Sequence, residues 1–83
     1  MNITPVLVSL EQRTYMILKL DIIEEVDESR VKVKIQDDSL IKLREYYPNH
    51  PEEGIVDSGR LFDDVEVAKD WAMTEGIATN FVE

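Results

Sequence analysis

Eighty-three residues allow one domain with one core, and the absence of cysteine removes disulfides and thiolate metal sites as means of stapling it. A net charge of −9 sets the chain against nucleic acid and anionic membrane surfaces, and no apolar run approaches the ~18 residues that span a bilayer. The charge is uneven: residues 1–44 carry 8 acids and 7 bases, whereas residues 45–83 carry 10 acids and only two bases, Arg60 and Lys69.

The first residues, Met1 to Pro5, hold neither the basic nor the apolar region of a secretory leader. A soluble cytoplasmic protein is therefore expected, as a single small acidic domain over 1–83. There is no internal repeat and no low-complexity tract, and a hydrophobic content of 43% suits a globular fold.

From Tyr15 to Glu25 the residues alternate. Met16, Leu18, Leu20 and Ile22 share one face of a strand, and Tyr15, Ile17, Lys19, Asp21, Ile23 and Glu25 share the other. The second face is partly apolar, which predicts partial cover by another element. After the polar connector Asp27-Glu28-Ser29, Arg30 to Gln36 alternates again, with Val31, Val33 and Ile35 inward. These two runs predict an antiparallel hairpin, its register supported by Lys32 and Lys34 opposite Asp21 or Glu25.

Asp37-Asp38-Ser39 reads as a turn or a helix cap. Leu40 to Tyr47 fits a third strand with Ile41 and Leu43 inward, or a short helix striped by Leu40, Leu43 and Tyr47; the strand is favoured because an Asp-Asp turn invites a return strand. Pro48 to Gly54 is a loop. Ile55-Val56 and Leu61-Phe62 bracket Asp57-Ser58-Gly59-Arg60, a short strand with a bulge or tight turn. A C-terminal helix follows over Asp63 to Gly76. Asp63 is its predicted N-cap, Glu66 completes a capping box, and Phe62 with Val67 forms a hydrophobic staple. Gly76 and Ile77 provide a Schellman ending onto Ala72. Val65, Ala68, Trp71 and Ala72 are the face expected to meet the sheet, with Trp71 in the core.

No catalytic constellation emerges. His50 is the only histidine and stands beside Glu52 and Glu53 in a loop, short of the convergent ligands that a metal needs. Asp37-Asp38 and Asp63-Asp64 each have a local structural use, Ser9, Ser29, Ser39 and Ser58 lack a nucleophile elbow, and Gly54, Gly59 and Gly76 form no phosphate cradle. The protein is expected to be no enzyme and to carry no cofactor or metal. The basic strip Arg30, Lys32 and Lys34 lacks the interleaved aromatics of a nucleic-acid platform. Tyr46 and Tyr47 cannot both point inward from an extended segment, so one is expected at the surface as an interface anchor.

The segment Leu61-Phe62-Asp63-Asp64-Val65-Glu66-Val67-Ala68-Lys69-Asp70-Trp71-Ala72 resembles a phrase found in small acidic accessory proteins of tailed phages. There a strand ends in Phe-Asp and an Ala/Trp-bearing helix follows. The resemblance is confined to this segment and transfers no functional residue. It implies a protein that binds and blocks a factor in the host cytoplasm.

The expected fold is α+β, an antiparallel sheet of three to four strands with one C-terminal helix packed on a face. The expected function is protein binding through the acidic C-terminal half. Tyr46, Tyr47, Glu52, Glu53, Asp63, Asp64, Glu66 and Asp70 are the candidate partner-binding residues. A basic protein surface is the expected partner, and mimicry of nucleic-acid charge is one version of that reading. The alternative is a self-assembling homo-oligomeric module.

Overall fold

Alternation places the centre of the molecule where the sequence puts it. The computed structural model describes residues 3–82 and runs β1 (Ile3–Ser9), β2 (Thr14–Glu25), β3 (Arg30–Ile35), α1 (Asp37–Tyr46), β4 (Glu53–Asp57), a 3-10 turn (Ser58–Arg60), α2 (Val65–Thr74) and β5 (Asn80–Val82). Met16, Leu18 and Leu20 of β2 join Val31, Val33 and Ile35 of β3 in one buried cluster. The β2–β3 hairpin is antiparallel with Asp21 opposite Lys34, as expected. A register shift between Ile22 and Glu24 sets Lys32 opposite Glu24 instead of Glu25, and the Lys32 ammonium lies 3.7 Å from Glu53 on β4. Asp27 makes the connector. One carboxylate oxygen accepts the Ser29 and Arg30 N–H groups, and the other accepts two guanidinium N–H groups of Arg30. The Arg30 side chain and then the Ser29 amide hold the Asp27 carboxyl down at about 2.

Two strands lie outside the predicted set. β1 pairs antiparallel with β2, and Val6 and Val8 pack against the core. Pro5 is tolerated because its missing N–H falls on the outer edge, where its carbonyl accepts the Phe62 N–H at 3.1 Å. β5 pairs in parallel with Thr14–Met16 of β2. The turn joining β1 to β2 holds two consecutive left-handed residues, Gln12 (φ 50°) and Arg13 (φ 61°). Arg13 is tied to the far end of the chain: its carbonyl accepts the N–H groups of Thr79 (2.9 Å) and Asn80 (3.4 Å), and its guanidinium donates to the Gly76 carbonyl at 2.7 Å.

The strand favoured for Leu40 to Tyr47 is a helix, and the described residues form two α-helices instead of one. Asp37 and Asp38 complement the positive end of α1, and Leu40 and Leu43, three apart, enter the core. Ile41, inward in a strand, is 65% exposed. What holds the helix here is a gap in β2. Between the stretches paired with β5 and β3, Lys19 has no strand beside it on that edge among the described residues. Its N–H instead donates to the buried Ser39 hydroxyl at 2.9 Å, and its carbonyl accepts the Gln36 N–H at 3.0 Å. Ser39→Ala is expected to leave that amide unsatisfied and to destabilise the fold by about 1–3 kcal/mol, a Tm loss of at least about 4 °C by circular dichroism. A loss near zero would mean that water reaches Lys19.

The strand order is β1-β2-β3-β4, yet Leu61, just past β4, bridges Val6 on the outer edge of β1. In a flat sheet that edge would lie about four strand spacings from β4, ~19 Å. The 3-10 turn with its flanking links reaches only ~12 Å. The sheet must therefore curl into a partly closed barrel, with the buried cluster inside and α1 feeding Leu40 and Leu43 into it.

α2 lies on the outside of this barrel against β1. Its N-cap is Asp64, one residue later than predicted: Asp64 is extended and its carboxylate accepts the Val67 N–H at 2.9 Å. The capping box from Asp63 to Glu66 and the staple from Phe62 to Val67 are therefore out of phase. The ending is as predicted. Gly76 has φ +70°, its N–H reaches the Met73 carbonyl at 3.0 Å and the Ile77 N–H reaches Ala72 at 3.1 Å. No helix among the described residues is long and apolar enough to cross a membrane.

Candidate protein-interaction surfaces

Ala68 and Ala72 decide how α2 sits. Both are fully buried, and their small side chains let the helix axis approach the sheet closely. Trp71, one position from Ala72, is carried to the flank instead of the core. It is 46% exposed, which corrects the buried placement expected for it. Its ring tilts against Phe62, centroids 5.6 Å apart at 48°. The two rings, with Leu7, Tyr15, Arg60 and Ile77, line a depression of about 350 Å³. Val67, four residues before Trp71, extends the apolar strip and is also exposed. Glu66 and Asp70, likewise four apart, run along the next strip of the helix, and Asp63 precedes its start; all three are exposed. The surface is thus a half-open aromatic groove whose charged lining residue is Arg60, with the acids on the outer face of α2.

The residues expected to bind a partner divide into two groups. Asp63, Asp64, Glu66 and Asp70 lie at or near the start of α2, with Asp64 engaged as its cap. Tyr46, Tyr47, Glu52 and Glu53 lie around the α1–β4 connection. Both tyrosines are exposed, where one was expected to be. Val65 at the start of α2 lines a small cleft together with Asp38, Ser39 and Lys42 of α1. The tyrosines sit at the other end of α1.

A larger cleft of about 480 Å³ opens between β1 and β4. Core residues Leu18, Leu20, Val33 and Ile35 line it together with His50, Glu53 and Arg60. His50 is half-buried. Its Nδ1 lies 2.7 Å from the Pro51 carbonyl, and its own carbonyl accepts from the Arg44 guanidinium at 3.1 Å. These contacts set the loop between α1 and β4. Among the described residues no group of three or more His, Asp or Glu is placed to hold a metal ion.

Sequence reasoning located the acids but missed Trp71 as a surface residue. The signal that could have found it is the Ala68/Ala72 pair, which marks the line of closest approach and leaves a large neighbour at its margin. No protein family matches this chain, and neither does any curated protein or solved structure.

Proposed function

We propose that this protein is a non-enzymatic binding module that recognises a protein partner through Trp71 and its groove. Asp63, Glu66 and Asp70 would select a partner with a basic rim. The observation that carries the reading is the exposure of a tryptophan packed at a tilt against Phe62. Trp is among the residue types enriched as interface anchors, because it offers a large rigid area at low entropic cost. A mixed aromatic and acidic surface favours a protein contact over pure mimicry of nucleic-acid charge, which needs one charge per ~1.7 Å along a duplex. Inhibition of a host factor would be one use of such a contact.

Capture of partners from cell lysate by wild-type and Trp71→Ala baits, at low and at high salt, tests this reading. The same protein should be retained by wild type at low salt, weakened by salt through the acids on α2, and lost by a factor of at least about 30 with Trp71→Ala, the ~2 kcal/mol expected of an anchor residue. Because Trp71 is at the margin of the core, the variant should remain folded. Equal retention by both baits would exclude the groove. A dimer in sedimentation that Trp71→Ala dissolves would assign the groove to self-association instead.

A further inference from the structure

The cleft between β1 and β4 is bordered by two strand edges, and the phase of each ladder says what those edges present. On β4 the Glu52 carbonyl accepts from Ile35 at 2.8 Å and the Ser58 N–H donates to Ser29 at 2.8 Å. In an antiparallel ladder such bonded positions alternate, so residues 52, 54, 56 and 58 turn their backbone toward β3. Glu53, Ile55 and Asp57 turn theirs outward. β4 is the end strand of the path. On β1 the Pro5 carbonyl is used by Phe62 on the outer side, so Leu7 and Ser9 face that side as well; the isolated bridge of Val6 to Leu61 occupies the edge as far as Leu7, and Ser9 lies beyond it. The floor between the two edges is the apolar interior of the barrel.

We propose that this seam accepts an extended segment of a partner protein as an added strand, with apolar residues alternating inward and Lys or Arg alternating outward. The inward half follows from the floor: Val6, Val8 and Val56 border an interior that an alternating apolar row would fill. The outward half follows from charge. Glu53 and Asp57 flank the exposed Ile55 on the outer face of β4, so a cross-strand Lys or Arg meets a carboxylate at each end. The same charges disfavour a second copy. Two β4 strands pairing antiparallel about Ile55 set Glu53 of each against Asp57 of the other, and parallel pairing sets like against like. Main-chain hydrogen bonds would supply affinity and the alternation would supply selectivity, as in other strand-addition complexes. The seam adjoins the Trp71 groove, sharing Leu7 and Arg60 with it, but its pairing groups lie on β4 and β1 and not on α2, so it does not depend on Trp71.

The probe is a capped heptapeptide alternating lysine and valine, titrated into ¹⁵N-labelled full-length protein. The expected result is shift changes and slowed amide exchange at Ile55, Asp57 and Ser9, with affinity about tenfold above that of the glutamate–valine analogue, the equivalent of two or three favourable cross-strand pairs. Ile55→Pro removes an N–H that β3 does not use, so the fold should survive while peptide binding is lost. Glu53→Lys combined with Asp57→Lys should reverse the preference toward the acidic peptide, which keeps the test decisive if the proline variant fails to fold. Trp71→Ala should leave peptide affinity unchanged, which separates this site from the proposed function. Shift changes confined to α2, no binding of either peptide, or binding unaltered in a folded Ile55→Pro variant would each overturn the proposal. So would a concentration-dependent dimer whose Ile55 and Asp57 amides are protected without peptide, because a second copy would then fill the seam.

Discussion

Leu43→Ala is expected to destabilise the domain by about 2–5 kcal/mol, whereas Ile41→Ala, two residues away, should change stability by less than about 0.5 kcal/mol. The contrast is a property of the helix. In a strand, positions 41 and 43 share a face and would carry similar cost. On α1 they point in opposite directions, with Leu43 at 1% exposure inside the barrel and Ile41 at 65% in solvent. Truncating Leu43 removes buried methyl groups and leaves a void that the surrounding Leu18, Leu20 and Ile35 can fill only in part. A domain of this length has only ~4–12 kcal/mol of stability, so the Leu43 variant would populate unfolded chain at ambient temperature. Chemical denaturation of the pair decides the matter, and equal losses would return residues 40–47 to a strand.

The second large effect is at Met16. Met16→Ala should cost about 2–5 kcal/mol, while Met16→Leu should cost less than about 1.5 kcal/mol because volume is nearly conserved. Met16 is fully buried, and its strand is flanked on both edges at that point, by Val8 of β1 and by Val82 of β5. A strand fixed from two sides cannot shift to close a cavity, which places the alanine variant toward the upper end of that range. Thermal unfolding of both variants provides the check, and a mild Met16→Ala would show that β5 does not clamp this edge.

Legibility followed the strength of the local pattern. β2 and β3 were readable because Met16-Leu18-Leu20 and Val31-Val33-Ile35 alternate against charged neighbours, and the helix stop was readable because Gly76 adopts a conformation that suits glycine. β1 was not, since Pro5 and the unbroken Val6-Leu7-Val8 hide the alternation in a strand whose two faces are both covered in part. β5 has three residues, too few for any period to show. α1 was misjudged because its deciding contact, Ser39 with the Lys19 amide, joins residues twenty apart and depends on a gap between two ladders. At the candidate surface the acids could be counted from the chain. The exposure of Trp71 depends on how closely two alanines let a helix sit, which is a matter of packing distance and not of hydrophobicity.

The turn at Gln12 and Arg13 bears on how the molecule comes apart. Two adjacent non-glycine residues in the left-handed region are held against a conformational cost of roughly 1–2 kcal/mol each. The bonds made to Arg13 by Gly76, Thr79 and Asn80 help offset it. If the C-terminal segment detached, the turn would lose those partners and keep its strain, which favours release of the β1–β2 connection as well. Detachment of the segment around β5 is thereby linked to a hairpin more than sixty residues earlier. The two should exchange their amides as one cooperative unit, not as a loose tail beside a stable core.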